Sequence, residues 1–165
     1  MNDRDIYRQM PLGRHFAQIG KLYFGALSRA LDHMDLDRYY SILILLDKSG
    51  KPINQQYIAN FLQIDKATMV RVIDQLEKQE YITRISNPED RREHLIKLTP
   101  KAALVLPEIH ATIQKLNAVA FEGISSEQRE NFGFVLETIW HNLAKEPTMP
   151  IILSYKKHRV GSKQE

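Results

Sequence analysis

The chain has 165 residues, of which 43 % are hydrophobic and 26 % are charged. This length and balance predict a single domain with a real core rather than a disordered chain. The first sixteen residues lack the apolar segment of a secretion signal, the longest apolar run covers residues 42–46, and cysteine is absent. We therefore expect a cytoplasmic protein without a membrane span, thiolate chemistry or a cysteine-bound metal.

The net charge of +3 is a weak indicator of a nucleic-acid partner because of where the charge lies. The segment after Ser154 carries four basic residues against one acidic residue, so the rest of the chain is balanced. Any case for DNA binding therefore depends on the positions of individual cations.

The N-terminal part of the chain predicts two helices. Apolar residues from Leu12 to Met34 recur at the spacing of one helix face, which predicts a long amphipathic first helix. Asp37 predicts the N-cap of a second helix that runs to Ser49 and stops at Gly50. Residues 51–53 then predict a short extended link.

The next segment predicts two short helices joined by a tight turn. Asn54 predicts the cap of the first, which ends near Phe61, and Asp65 predicts the cap of the second, which ends near Gln79. The second helix carries an apolar stripe of Met69, Val72, Ile73 and Leu76. This arrangement is typical of a helix-turn-helix whose second helix enters a major groove.

Residues 81–85 and 94–98 predict two short strands joined by a polar loop, which together form a hairpin. The loop contains Asp90, Arg91 and Arg92. Exposed arginines add little to stability, so their position favours an external anion such as a narrow minor groove. We expect Asp90 to orient one guanidinium group through a bidentate ion pair.

Two further helices are predicted after the hairpin. Thr99 followed by Pro100 predicts a helix start, and this helix runs to Gly123 with a kink at Pro107. Ser125, with a glutamine three residues later, predicts a capping box for the last helix.

These elements predict a mainly α protein with a small β-hairpin. Its winged helix-turn-helix region covers residues 36–99, dimerisation helices cover 12–35 and 100–146, and a basic tail covers 147–165. The end helices cannot bury their apolar stripes on so small a winged region, which predicts pairing with a second copy.

Three segments of the chain resemble one protein family. DKATMVRVIDQLEKQEYITR and NPEDRREHLIKLTPKA resemble the MarR (multiple antibiotic resistance regulator) family of bacterial winged-helix regulators, especially its SlyA-like branch, and LGRHFAQIGKLY is similar too. The resemblance implies an obligate homodimer joined by the first and last helices. It also implies recognition helices in successive major grooves and wing arginines in the flanking minor grooves.

The resemblance assigns DNA-contacting roles to Ala67, Thr68, Val70 and Arg71 of the second short helix and to two residues of the wing. Asp90 and Arg92 match the acid and the groove-inserting arginine of the wing. The full set of predicted DNA-binding residues is Asn54, Gln55, Lys66, Ala67, Thr68, Val70, Arg71, Gln75, Asp90, Arg91 and Arg92. Gln63 and Glu80 stand where the family has glycine, so we expect positive φ at both, and we expect Asp74 to orient Arg71.

The resemblance also implies a small aromatic or anionic effector between the dimer helices and the winged region. The candidate wall residues are His15, Ile19, Tyr23, Tyr39 and Leu43. The alternative is that these residues form core and dimer-interface packing, because aromatic residues at helical spacing usually pack.

Metal and enzyme functions have little support in the sequence. The six histidines form no convincing metal set, since Glu108 and His110 are two residues apart and point to different helix faces. Nucleophile-elbow and phosphate-loop motifs are absent. We expect neither catalysis nor a cofactor.

The sequence therefore predicts a sequence-specific transcription regulator, a ligand-responsive repressor that binds a palindromic double-stranded operator as a homodimer. One alternative is a winged-helix module that binds protein, and another is a nucleoid-style DNA binder without an effector. Arg71, Arg91 and Arg92 argue against the protein-binding module, which would not need three cations at these positions.

Overall fold

The computed structural model describes residues 2–34, 36, 39–90 and 92–147. Its elements are α1 (Asp3–Gln9), α2 (Leu12–Ala30), α3 (Tyr40–Ser49), β1 (Ile53–Asn54), α4 (Gln55–Phe61), α5 (Lys66–Lys78), β2 (Ile82–Ser86), β3 (His94–Leu98), α6 (Pro100–Ala120) and α7 (Ser126–Leu143). The chain divides into two compact units, Met1–Glu122 and Gly123–Glu165. The predicted fold class is confirmed. The predicted tail from residue 148 onwards lies outside the described residues.

The N-terminal helices differ from the prediction in two ways. α1 is an additional helix that was not predicted, and it begins with a capping box in which the side chains of Asn2 and Asp5 each accept a hydrogen bond from the other's backbone N–H. α2 is also shorter than predicted, because a short 3-10 helix at Asp32–Met34 follows it. Leu27 of α2 is buried in the core.

α3 begins at Tyr40, later than the predicted start after Asp37, and Asp37 itself lies outside the described residues. The predicted stop at Gly50 is confirmed, since Gly50 has a φ of 63°. α3 buries Ile42, Leu43 and Leu46 on the core side.

The predicted caps of the helix-turn-helix are confirmed. The carboxamide oxygen of Asn54 accepts the Tyr57 N–H at 2.7 Å, and Asp65 Oδ1 accepts the Thr68 N–H at 2.9 Å. Positive φ is also confirmed at Gln63 (53°) and Glu80 (62°). Each costs about 1–2 kcal/mol in a residue with a Cβ.

The sheet has three antiparallel strands in the order β1-β3-β2. Ile82 pairs with Leu98 and Ser86 pairs with His94, so the predicted hairpin is placed within one residue. The link before α4 forms β1, in which Ile53 pairs with Ile96. The wing is therefore attached to the strand that leads into α4.

A single hydrophobic core joins α3, the helix-turn-helix, the sheet and the first half of α6. Its most deeply buried side chains are Leu27, Leu36, Ile42, Leu43, Ile58, Met69, Ile73, Leu76, Ile82, Ile96 and Ile109. Thr99 caps α6, with Pro100 in its first turn, as predicted. The core fixes α5 with one face inward, and its opposite face is left exposed.

α7 lies in the second unit and begins with the predicted capping box of Ser125 and Gln128. None of its residues, all of which are described, is buried. Across the described residues, no helix combines the length and apolarity needed to cross a membrane.

Candidate nucleic-acid interface

The exposed face of α5 follows directly from its buried stripe. With Met69, Val72, Ile73 and Leu76 in the core, the exposed positions are Lys66, Ala67, Val70, Arg71, Asp74 and Lys78. Thr68 and Gln75 are half-buried beside them. Arg71 Nη2 donates to Thr68 Oγ1 at 3.3 Å, so its guanidinium lies along the first turn of the helix. Two cations, a hydroxyl group and a small residue are thereby grouped near the helix start.

The prediction that Asp74 orients Arg71 is wrong. Asp74 instead forms an ion pair with Arg84 of β2, whose guanidinium also pairs with Glu77. The side chain of Arg84 is only 23 % exposed, and its backbone N–H donates to Glu77 Oε1 at 3.0 Å. Burial disfavours the charge on Arg84, but the hydrogen bonds to Asp74 and Glu77 outweigh it and raise its pKa. The negative charge of Asp74 on the exposed face of α5 is therefore neutralised by Arg84 of the same chain.

The wing loop is shaped by Asp90 in a way that the sequence analysis did not predict. Asp90 Oδ1 accepts the backbone N–H of Arg92 at 2.9 Å, and the Asp90 carbonyl accepts the N–H of Glu93 at 3.0 Å. The expected bidentate pair is not found between Asp90 and Arg92, because the carboxylate is used in a local turn. Arg91 lies outside the described residues. Arg92 is exposed, and its guanidinium has no ion-pair partner in the described chain.

Glu93 connects the wing to α4, a contact that the sequence analysis missed. Its Oε2 atom accepts hydrogen bonds from the side-chain Nδ2 atoms of Asn54 and Asn87, each at 3.3 Å. Asn54 and Glu93 are 39 residues apart, so no local sequence pattern could have indicated this contact. The residue that caps α4 therefore also holds the base of the wing.

A cleft of about 300 Å³ lies between α4, the start of α5 and the wing. Its lining residues are Asn54, Gln55, Gln56, Ala59, Lys66, Met69, Arg92, Glu93 and His94. The structure thus brings four predicted DNA contacts together, namely Asn54, Gln55, Lys66 and Arg92. The remaining described candidates on α5 continue along its exposed face from this cleft.

None of the five candidate effector residues lines the cleft between α4, α5 and the wing. Leu43 is fully buried in the core, and Tyr39 is half-buried against it, whereas Ile19 is 55 % exposed. The hydroxyl of Tyr23 donates to Asn117 Oδ1 at 2.7 Å, and burial raises the pKa of Tyr23. The ring of His15 packs edge-on against Tyr7. The effector site between the dimer helices and the winged region stays a prediction.

Two histidine–carboxylate pairs involve α6. His33 Nε2 lies 2.9 Å from Glu108 Oε1, and His110 Nε2 lies 2.8 Å from Asp47 Oδ2. In the described part of the chain, no three side chains of the metal-binding types come together.

A helix-turn-helix followed by an antiparallel hairpin, with a short strand before it on the same sheet, defines a winged helix-turn-helix protein. Residues 38–94, which include α3, β1, α4, α5 and β2 and end at the first residue of β3, match the sequence model of the MarR family. The winged region of this chain is therefore similar in sequence to the MarR family over these residues.

Solved structures support the same fold over most of the chain. The chain is 28 % identical to transcriptional regulator PA3341, covering 82 % of this chain and 100 % of that one, with a TM-score of 0.75. It is similar to a crystal structure of MarR at 23 % identity, 83 % and 93 % coverage and a TM-score of 0.74. A mutant of MarR from E. coli complexed with operator DNA matches at 21 % identity, 79 % and 94 % coverage and a TM-score of 0.70.

Proposed function

We propose that this protein is a DNA-binding transcription regulator that acts as a homodimer on an inverted-repeat operator. The observation that carries the proposal is the continuous exposed surface formed by the start of α4, the outer face of α5 and the wing. On this surface Lys66, Arg71 and Arg92 are exposed, while the carboxylate of Asp74 is neutralised by Arg84. The names of the similar structures, which include a transcriptional regulator and an operator complex, agree with this function.

The first turn of α5 has the chemistry required to read a major groove. Ala67 permits close approach, and Arg71 can donate to O6 and N7 of guanine or to a phosphate. The exposed ammonium group of Lys66 at the helix start favours a phosphate. Asn54 caps α4 and Gln55 is its first residue. Both line the cleft between α4, α5 and the wing, where they can contact the DNA backbone.

The wing supplies the second part of the proposed interface. The turn held by Asp90 presents Arg92 beyond the ends of β2 and β3. An exposed arginine that has no ion-pair partner among the described residues is suited to a narrow minor groove, where the negative potential is enhanced. The wing and α5 would thus contact neighbouring grooves of one half-site.

The exposed apolar residues of α2 and α7 support a homodimer. Large apolar side chains are exposed on both helices, including Leu12, Ile19 and Leu22 on α2 and Phe134, Trp140 and Leu143 on α7. Large apolar side chains that are exposed along one helix typically mark an interaction surface. Two-fold pairing would cover them, with an interface of about 2,000 Å² or more, and would place the α5 helices roughly 34 Å apart on DNA.

The finer parts of the proposal depend on the family resemblance. We propose that the protein represses transcription in the cytoplasm, that a small aromatic or anionic effector relieves repression, and that the chain belongs to the SlyA-like branch. His15, Ile19, Tyr23, Tyr39 and Leu43 remain the candidate effector residues in this scheme.

Selection from randomised DNA, followed by binding measurements on the enriched sequence, tests the proposed function. The parent protein should enrich an inverted repeat with half-sites about one helical turn apart. Arg71→Ala should relax the preference at one position per half-site if Arg71 contacts a base. If it contacts only phosphate, binding should weaken uniformly and the salt slope should fall by about 1.

The matched control is Lys115→Ala, which removes an exposed cation of α6 and should leave both sequence preference and affinity unchanged. Tight binding without sequence preference would favour the nucleoid-style alternative. If the parent protein enriched no DNA and had no measurable affinity for duplexes, the protein-binding alternative would replace the proposal.

A further inference from the structure

His94, which is not among the predicted DNA contacts, lines the cleft between α4, α5 and the wing. It is the exposed first residue of β3 and pairs with Ser86 of β2, so the hairpin fixes its backbone. Successive side chains of a strand point to opposite faces, and His94 is therefore on the same face as the buried Ile96. Leu95, on the other face, lines a second cleft of about 560 Å³. The ring of His94 is thus directed towards the start of α5.

The surroundings of His94 differ from those of the other histidines in the described chain. The rings of His33, His110 and His141 each lie beside a carboxylate, at 2.9, 2.8 and 3.7 Å. The ring of His15 packs against an aromatic ring. Among the described residues, the ring of His94 has neither an ion-pair nor a hydrogen-bond partner. An exposed imidazole with both nitrogens unused is available to a ligand from outside the chain.

Charged groups from α5 and the wing face the same cleft. Lys66 and Arg92 are exposed cations, and neither has an ion-pair partner in the part of the chain that the structure describes. Glu93 is the one carboxylate among the described lining residues, and its Oε2 accepts hydrogen bonds from Asn54 and Asn87. The lining groups that α4 contributes are neutral. The cleft therefore presents two cations, a histidine and a carboxylate that is already hydrogen-bonded, which suits it to the phosphates of DNA.

β2 adds no free charge beside His94 within the described chain. Ser86, which lies opposite His94, is neutral. Arg84, two residues earlier on β2, is paired with Asp74 and Glu77. A phosphate next to the imidazole would therefore meet the charges of the cleft lining alone.

The chemistry of imidazole couples such a contact to pH. Histidine side chains change charge between about pH 5 and 8, and the protonated ring donates from both nitrogens. A phosphate therefore favours the protonated ring over the neutral one. We propose that His94 contacts the DNA backbone and that its protonation is coupled to DNA binding. This inference rests on the proposed function, because the phosphate is that of the operator.

The direction of the pH effect follows from this coupling. When a complex holds more protons than its separate components, its affinity rises as the pH falls. Operator affinity should therefore increase from about pH 8 to about pH 6. Lysine and arginine side chains are cationic throughout this range, so the other cations of the cleft support binding at the upper end without adding pH dependence. The protein would thus occupy its operator more fully as the surrounding pH falls.

Binding to the selected operator across this pH range, at constant salt concentration, tests the coupling. The parent should bind about 3- to 30-fold more tightly at about pH 6 than at about pH 8. His94→Gln, which is neutral at every pH, should lose most of this gain. His94→Lys, which carries a permanent cation, should bind at the higher pH about as tightly as the parent does at the lower pH. Equal pH dependence in the parent and in His94→Gln would overturn the proposal.

The matched control is His33→Gln, which removes an exposed histidine outside the cleft lining. It should keep the pH dependence of the parent, and loss of that dependence here would overturn the assignment to His94. Urea unfolding separates a contact from a structural role. His94→Gln should leave the unfolding midpoint unchanged, whereas a lower midpoint with equally weakened binding at every pH would show that His94 acts only through the fold.

Calorimetry counts the protons directly. Binding enthalpies measured at one pH, in buffers that differ in their heat of ionisation, give the number of protons taken up. The parent should take up more protons per operator than His94→Gln at about pH 7. A parent that binds the operator without proton uptake would overturn this inference and leave the proposed function intact. A parent without DNA affinity at any pH in this range would overturn both.

Discussion

The helices α5 and α7 differ in where their apolar side chains lie. α5 buries Met69, Val72, Ile73 and Leu76 in the core, and its exposed face is mainly polar. α7 buries no residue, and Phe134 and Trp140 are 72 % and 66 % exposed. α5 thus buries its apolar face within the chain, and its exposed polar face is available to a polyanion. α7 has no such buried face, which supports the homodimer proposed above.

The largest expected effect comes from placing charge on the apolar faces of α2 and α7, which tests whether α7 differs from α5 in needing a partner chain. Ile19→Glu combined with Ile139→Glu places unpaired charge in both proposed dimerisation stripes, which should cost more than about 5 kcal/mol of association free energy. Sedimentation at micromolar concentration should show a shift from dimer to monomer. Specific DNA binding should disappear with the dimer, although the wing is unchanged.

The control for this experiment adds the same charge to polar positions of the same helices. Gln18→Glu combined with Thr138→Glu, both at exposed positions, should remain dimeric and bind the operator. A parent protein that sediments as a compact monomer and still binds its operator tightly would contradict the dimer.

The proposed DNA-binding surface extends from the polar face of α5 to the wing. Arg92→Ala should weaken operator binding by about 1–3 kcal/mol and change the free energy of unfolding by no more than about 0.5 kcal/mol. The reason is that Arg92 is exposed and has no ion-pair partner in the described chain. Fluorescence anisotropy and urea unfolding measure the two quantities. Unchanged affinity for DNA would show that the wing does not take part in the interface.

A smaller effect is expected at the ion pair between Asp74 of α5 and Arg84 of β2. Arg84→Gln releases Asp74 on the exposed face, and repulsion of phosphate should weaken DNA binding by about 1 kcal/mol. Adding Asp74→Asn to Arg84→Gln should recover most of this loss, because the released charge is then removed. If the double variant bound DNA no better than Arg84→Gln alone, Arg84 would act only by holding the fold.

The smallest effect concerns the cap of α5. Hydrogen bonds from the side chain and backbone of Thr68 lower the pKa of Asp65. Its contribution to stability is therefore complete above the unfolded pKa of about 3.9 and is lost as the pH falls through the lower folded value. The melting temperature of the parent should exceed that of Asp65→Asn at neutral pH, and the gap should close in this acidic range. A gap that is independent of pH would show that the carboxylate charge does not matter.

Local signals in the sequence were sufficient for most of the fold. The caps Asn54, Asp65, Thr99 and Ser125 act through residues three positions away, so a short window of sequence contains both partners. The capping box of α1 is the same kind of local signal, since Asn2 and Asp5 are also three positions apart. Positive φ at Gln63 and Glu80 was predictable from the family pattern.

Contacts between distant segments account for what the sequence did not reveal. Asp74 could pair with Arg71 one turn away or with Arg84 on a strand, and only the packing of β2 against α5 decides between them. The contact between Asn54 and Glu93 likewise depends on the pairing of β1 with β3. The two clefts were unpredictable for the same reason, since each is lined by residues from several elements.

The two-residue strand β1 has a consequence for motion. Its pairing with β3 joins the chain just before α4 to the chain just after the wing loop, so the intervening segment forms a closed loop. α4, α5 and the wing cannot then rotate separately without breaking ladder hydrogen bonds. We expect the region to reorient as a rigid body, with slow amide exchange at the β1–β3 ladder. In the proposed homodimer, a signal from the end helices would change the distance between the two winged regions and leave the internal shape of each intact.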